Sequence, residues 1–158
     1  MIEGFEPVYD SKSKVLILGS FPSVKSREIS FYYGNKRNRF WNVLRKFYNE
    51  NFGEEKEDKI RFLLKNKIAL WDVAAECEIK GSSDSDIKKY VVADIRKILD
   101  FSEISYIILN GGKCAEIFRK NFDIKIKTYA LPSTSPANVS FDENKWFDAL
   151  TEIKNAGF

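Results

Sequence analysis

Residues 15–41 read VLILGSFPSVKSREISFYYGNKRNRFW. Val15-Leu16-Ile17-Leu18 is an unbroken apolar run suited to a strand buried on both faces, and Gly19-Ser20-Phe21-Pro22-Ser23 leaves it as a turn. An aromatic triplet follows, Phe31-Tyr32-Tyr33, and then a polar, basic cluster, Asn35-Lys36-Arg37-Asn38-Arg39, closed by Phe40-Trp41. Aromatic faces beside amides and positive charge suit a flat base held next to a phosphate backbone. Three further apolar runs, at residues 68–73, 106–109 and 126–131, also read as buried strands. Helical spacing of apolar residues predicts helices at 39–48, 57–64, 91–101, 113–122 and 143–156. This alternation predicts an α/β fold, a three-layer α/β/α arrangement around a central four-stranded parallel sheet.

Right-handed crossovers place all strand C-termini on one edge of such a sheet, where ligands of open α/β folds bind. Four segments are thereby brought to one crevice: residues 19–23, Trp71-Asp72, Asn110-Gly111-Gly112-Lys113, and the loop 131–138, LPSTSPAN. The polar stretch 81–86 reads as a loop capping a helix that begins near Ile87. No repeat, low-complexity tract or linker divides the chain, so residues 1–158 are expected to form one domain.

Composition removes whole classes of chemistry. The chain contains no histidine, which excludes Ser-His-Asp, Cys-His and histidine-based zinc sites. Two cysteines, Cys77 and Cys114, are too few for a disulfide framework and are expected as small buried hydrophobes. Catalysis must run on amides, carboxylates, hydroxyls or the backbone, and neither a metal nor a cofactor is expected. Nucleotide fingerprints of the GxGxxG or GxxxxGK type are absent. The net charge is only +3, yet residues 21–46 hold seven basic side chains against the single acid Glu28. A solvated face is the ordinary reading of such a run; its coincidence with aromatics favours a polyanion. With no apolar run long enough to cross a bilayer and no signal-peptide layout, the expectation is a cytoplasmic monomer without a membrane partner.

Taken together in chain order, GSFPS (19–23), FYYG (31–34), NRFW (38–41), ALWDV (69–73), GSSDSDI (81–87) and LPSTSPAN (131–138) resemble the uracil-DNA glycosylase superfamily. Within it, the resemblance is closest to the DNA-deoxyinosine (hypoxanthine-DNA) glycosylase family, and it extends over nearly the whole chain. It implies a monofunctional enzyme that flips a deaminated base out of duplex DNA and hydrolyses its bond to deoxyribose. Such chemistry needs an oriented water, stabilisation of a sugar cation and a departing base anion, and exclusion of solvent. No covalent nucleophile is required. Hypoxanthine is the implied lesion. Uracil, xanthine or a mismatched pyrimidine is the alternative within the same chemistry, and a silent DNA-binding module is the alternative outside it.

The resemblance assigns roles by position. Asn38 matches the family's catalytic asparagine, its amide oxygen aligning water and its NH2 held by a neighbour. An N-cap for the helix at 39–48 is the reading that residue type alone would favour, and both roles can hold. Tyr33 matches the aromatic on which the flipped base stacks. Gly19, Ser20 and Phe21 present backbone toward the base, and Asn110 reads its edge or starts a helix. Phe21 stands where several relatives carry an acid or amide, which throws water activation onto Asn38. Lys36, Arg37 and Arg39 are the expected phosphate contacts, with Lys113, Ser133, Thr134 and Ser135 as further DNA-binding candidates. Ser82 and Ser83 either cap a helix or touch phosphate. One departure is that Asn35-Lys36 replaces the family's common His-Pro pair, which predicts a looser loop presenting Asn38.

Overall fold

The computed structural model describes residues 1–78, 87 and 89–157. Among the described residues the elements begin with β1 (Ile2–Glu3), and the second strand, β2 (Val15–Gly19), lies at the heart of the sheet. β2 pairs in parallel with β3 (Ile68–Asp72) on one side and β6 (Tyr106–Asn110) on the other. β7 (Lys127–Leu131) adds to β6, giving the order β3-β2-β6-β7. Every residue of β2 and β3 is buried, as an unbroken apolar run in a parallel sheet requires. The α/β class with a four-stranded parallel sheet is therefore as the apolar runs foretold.

Three helices, α1 (Val24–Ile29), α2 (Phe40–Tyr48) and α3 (Lys56–Lys65), connect β2 to β3. α4 (Arg96–Phe101) precedes β6, α5 (Gly112–Asn121) links β6 to β7, and α6 (Glu143–Asn155) closes the chain. The chain leaves β2 for one neighbour and later returns on its other side as β6, a reversal that opens a crevice at the strand C-termini. α1 is absent from the periodicity reading because its six residues carry no repeated apolar face. It is held by its ends instead: Ser23 Oγ accepts the Ser26 N–H, and Ser30 turns left-handed at φ 59°.

Residues 91–101 need correction. They are not one helix: β5 (Lys89–Val92) is a strand, and only Arg96–Phe101 is helical. β5 pairs antiparallel with β4 (Ala74–Glu78), which in turn pairs with β1, making a second, three-stranded sheet. Tyr90-Val91-Val92 is β-favouring, and a strand running into a helix mimics helical spacing across the junction. The helix expected to begin near Ile87 is replaced by this strand, and the loop proposed to cap it, residues 81–86, lies outside the described residues. β4 reads AAECE, whose alanine and glutamate disguise a strand.

Both cysteines are buried thiols outside any disulfide, and Cys114 Sγ donates to the Leu18 carbonyl. Burial pushes the Cys77 thiol up to about 11, with Arg27 opposing and Asp72 reinforcing the rise, so it stays a neutral core residue. Among the described residues, no helix is long and apolar enough to cross a membrane.

Candidate active site

A cavity of about 560 Å³ opens at the C-terminal ends of the parallel strands. Its lining comes from all four expected segments: residues 19–23 after β2, Asp72 at the end of β3, Asn110 at the end of β6, and residues 133–138 after β7. The segment before α2 supplies Tyr33, Asn35 and Asn38. The sheet register explains the convergence, since Gly19 lies beside Asp72 and Leu18 beside Leu109, one residue short of Asn110.

Asn38 sits on a turn built by asparagine rather than proline. Asn35 Oδ1 accepts the Arg37 N–H at 2.9 Å, and the Asn35 carbonyl accepts the Asn38 N–H at 2.9 Å. This side-chain turn supplies the closure expected to be lost with the His-Pro pair. Asn38 Oδ1 in turn accepts the Phe40 N–H at 2.9 Å, in the first turn of α2. The cap position itself is Arg39, which makes no side-chain cap bond. Asn38 thus satisfies the helix start and lines the cavity at once. Its anchor is the carbonyl oxygen, not the NH2 group, and the oxygen's second lone pair remains for a water.

The aromatic triplet is not a strand. Tyr33 has φ 52°, so the chain bends there; Phe31 and Tyr32 are buried, and Tyr32 and Tyr33 both line the cavity. Trp41 Nε1–H donates to the Tyr32 carbonyl and the Gly34 N–H donates to Ser26 Oγ, fixing the bend from both sides. The Tyr33 ring stacks on Phe40 at 4.0 Å, with Trp41 edge-on at 6.4 Å. Burial holds the Tyr32 hydroxyl well above its usual range, and the charge of Asp72 adds to the rise.

Gly19 is required by what approaches it. A Cβ there would lie 2.6 Å from Asp72 Oδ1 and 2.8 Å from the Tyr33 hydroxyl oxygen. Gly19→Ala must displace both groups. The expected result is a stability loss of about 1–3 kcal/mol in thermal melts; an unchanged melt would show that both groups move aside freely.

The far wall is braced internally. Asn110 Nδ2 donates to Thr134 Oγ1 at 3.0 Å, and its Oδ1 accepts the Thr134 N–H at 3.0 Å. Thr134 is buried, so its hydroxyl serves this pair. Ser133 Oγ accepts the Ser135 N–H and Ser135 Oγ accepts the Ala137 N–H, leaving each hydroxyl its own hydrogen to donate. Arg39 ties this loop to the Asn38 turn: its backbone N–H bonds the Thr134 carbonyl, and Nη1 bonds the carbonyls of Ser135 and Asn138 at 3.0 Å each. Its guanidinium also lies over the Phe141 ring.

Of the remaining candidates, Ser20 and Phe21 line the cavity, and Lys36 and Arg37 are exposed on the Asn35–Asn38 turn. Lys113 lies in the first turn of α5, outside the cavity wall, and pairs with Glu116 at 3.5 Å. Ser82 and Ser83 lie outside the described residues. Asp72, only 4% exposed, lines the cavity as its segment foretold, but it received no individual role from sequence. Its signal was an acid closing a wholly apolar strand, IALWD.

The cavity at the strand ends thus brings Tyr33, Asn38, Asp72 and Asn110 together, and comparison with known proteins says which family the chain falls in. The sequence profile of the uracil DNA glycosylase superfamily matches residues 6–154, and the chain belongs to that superfamily. The chain is 35% identical over 144 residues to a hypoxanthine DNA glycosylase of Methanosarcina acetivorans, covering 90% of this chain and 91% of that protein. A hypoxanthine DNA glycosylase of Methanosarcina barkeri is 31% identical over 138 residues, covering 86% and 87%. The solution NMR structure of a candidate uracil DNA glycosylase from Methanosarcina acetivorans superposes with a TM-score of 0.83 at 32% identity, covering 96% of this chain and 98% of that one. At the level these relatives share, the protein is a DNA glycosylase.

Proposed function

We propose that the protein excises hypoxanthine from DNA by hydrolysing the N-glycosidic bond of a flipped deoxyinosine. The observation that carries this reading is the meeting of Asn38 and Tyr33 in one cavity at the strand ends. The base stacks on Tyr33, whose ring rests on Phe40. Asn38 Oδ1, held by the Phe40 N–H, accepts a hydrogen bond from water and aims its oxygen at C1′. The C1′–N9 bond breaks with its electron pair going to the base, water bonds to C1′, and one water proton ends on the departing base. No polar side chain stands at position 21 to share this task, since Phe21 packs partly against the core. The names of the two curated relatives support hypoxanthine as the lesion. Uracil is the second reading, favoured by the name of the solved neighbour.

The test is incubation of purified protein with duplexes carrying single hypoxanthine, uracil or xanthine residues, followed by alkaline cleavage of abasic sites. Hypoxanthine is expected to be released fastest, and preferential release of uracil would install the second reading. Retention of DNA with no release from any duplex would overturn both.

Backbone binding belongs in this reading to the exposed Lys36 and Arg37, whereas Arg39 spends its guanidinium on loop carbonyls. Replacing Lys36 and Arg37 by Ala should weaken lesion-bearing and lesion-free duplexes alike. The slope of log K against log salt should flatten by about 0.9 for each phosphate no longer neutralised. Arg39→Ala should instead lower the melting temperature with little change of slope. A slope change confined to Arg39→Ala would reverse the assignment.

A further inference from the structure

Four non-glycine residues among those described have positive φ: Ser30, Tyr33, Asn49 and Lys67. Ser30 and Asn49 cap the C-termini of α1 and α2, and Lys67 follows the last turn of α3. A left-handed residue at those places is ordinary helix termination. Tyr33 ends no helix. It stands at φ 52° in the loop between α1 and α2, where a bulky aromatic side chain makes that conformation costly. Such a residue keeps its shape only where its surroundings impose it.

The residue before it supplies that constraint. Tyr32 is 2% exposed and held at three points. Its carbonyl accepts the Trp41 Nε1–H at 3.1 Å, its ring meets Phe5 edge to face at 5.1 Å, and its hydroxyl donates to the Glu6 carbonyl at 2.7 Å. Phe5 and Glu6 belong to residues 4–8, which are fastened in turn to β3 and β4. The Gly4 N–H donates to the Ala75 carbonyl at 2.8 Å, and Trp71 Nε1–H donates to the Phe5 carbonyl at 3.0 Å. Val8 and Leu70 exchange backbone bonds at 2.9 and 2.8 Å. Burial keeps the Tyr32 hydroxyl protonated, so it stays a donor. A phenylalanine would fill the same space in the core, and the hydroxyl adds only the tie to Glu6. One such bond contributes about as much free energy as a left-handed aromatic residue costs. Its loss is therefore enough to release the bend.

We propose, resting on the glycosylase reading above, that Tyr32 is a positioning residue for base excision and acts through Tyr33. Its hydroxyl couples the bend at Tyr33 to residues 4–8, and through them to β3 and β4. The Tyr33 ring is thereby set against Phe40 before DNA arrives, with its hydroxyl oxygen 2.8 Å from where a Gly19 Cβ would stand. The flipped base meets a surface already in place, and no binding energy is diverted to ordering it. Residues 4–8 thus serve the active site from outside the cavity wall.

The test is a double-mutant cycle of Tyr32→Phe and Tyr33→Gly, the second chosen because glycine accepts positive φ and carries no ring. Single-turnover excision from a hypoxanthine duplex is read at saturating protein, well below each melting temperature. Tyr32→Phe is expected to slow excision about fivefold, the worth of one hydrogen bond, with the duplex Kd unchanged. In the Tyr33→Gly background the same change should slow it no further, since no ring is left to place. A hydroxyl that serves stability alone would lower the melting temperature and leave the saturated rate at the wild-type value, and that result overturns the proposal. Equal slowing in both backgrounds also overturns it, because the hydroxyl would then act without Tyr33. Should Tyr32→Phe not fold, Trp71→Phe loosens residues 4–8 at the Phe5 carbonyl instead; slowed excision supports the proposal, and the wild-type rate overturns it. A wild type that releases uracil but not hypoxanthine corrects the lesion alone, and the cycle is then run on the uracil duplex. A wild type that releases no base overturns the glycosylase reading and this proposal together.

Discussion

Asn38→Ala is expected to reduce base excision by about 100-fold or more while leaving duplex binding nearly intact, since a catalytic water without its acceptor is no longer held in line. The structure adds a second consequence. Asn38 Oδ1 also accepts the Phe40 N–H at the start of α2, so the same substitution should cost about 1 kcal/mol of stability. Asn38→Asp separates the two effects. It keeps an oxygen for Phe40 and should melt like the wild type, and it keeps an acceptor for water and should retain far more activity than Ala. Excision is measured as abasic sites under single turnover, and stability by denaturant titration. Full activity in Asn38→Ala would remove this residue from the mechanism. Equal activity loss in the Ala and Asp variants would show that the amide NH2, not the oxygen, is what the reaction uses.

The largest stability effect is expected at Phe40. The residue is fully buried and touches three rings: Tyr33 at 4.0 Å, Trp41 at 4.8 Å and Trp146 at 6.2 Å. Phe40→Ala should cost about 3–5 kcal/mol through lost transfer energy and an unfilled cavity. That is a large share of the roughly 5–15 kcal/mol by which a domain is stable. Phe40→Leu keeps most of the volume and should cost much less, yet it removes the flat surface beneath Tyr33. In that variant, lesion excision should fall while denaturation stays close to wild type. A loss below about 1 kcal/mol in Phe40→Ala would mean that the ring cluster relaxes freely around the gap.

Legibility from sequence tracks how local each determinant is. Three of the four parallel strands were visible because a strand buried on both faces must be apolar throughout, and VLILG, IALWD and YIILN are nearly so; the partly exposed edge strand KTYAL was legible only as a weaker apolar run. The antiparallel sheet was not, since β4 carries glutamate and alanine and gains its strand character from pairing with β1 and β5. The site behaved likewise. Asn38 and Tyr33 were nominated by motif and both line the cavity, but the position of Asn35 depends on an Asx turn, and that of Thr134 on a clasp with Asn110 twenty-four residues away. Arg39 was read as a phosphate ligand from its charge, and only the loop carbonyls at Ser135 and Asn138 disclose its use as a tie. Asp72 looked like a strand terminus until register set it against Gly19.

The strand order has a consequence for how the chain reaches this form. β2 is synthesised before either of its partners, since Val15 pairs with Ile68 on one side and with Tyr106 on the other. At about 5–20 residues per second, roughly 5–20 s of synthesis separate β2 from its second partner. Through that interval at least one edge of VLILG stays open to any other strand, and the non-local pairing slows its own closure. The topology that gathers four loops at one rim thus leaves the nascent protein with its most adhesive strand uncovered the longest.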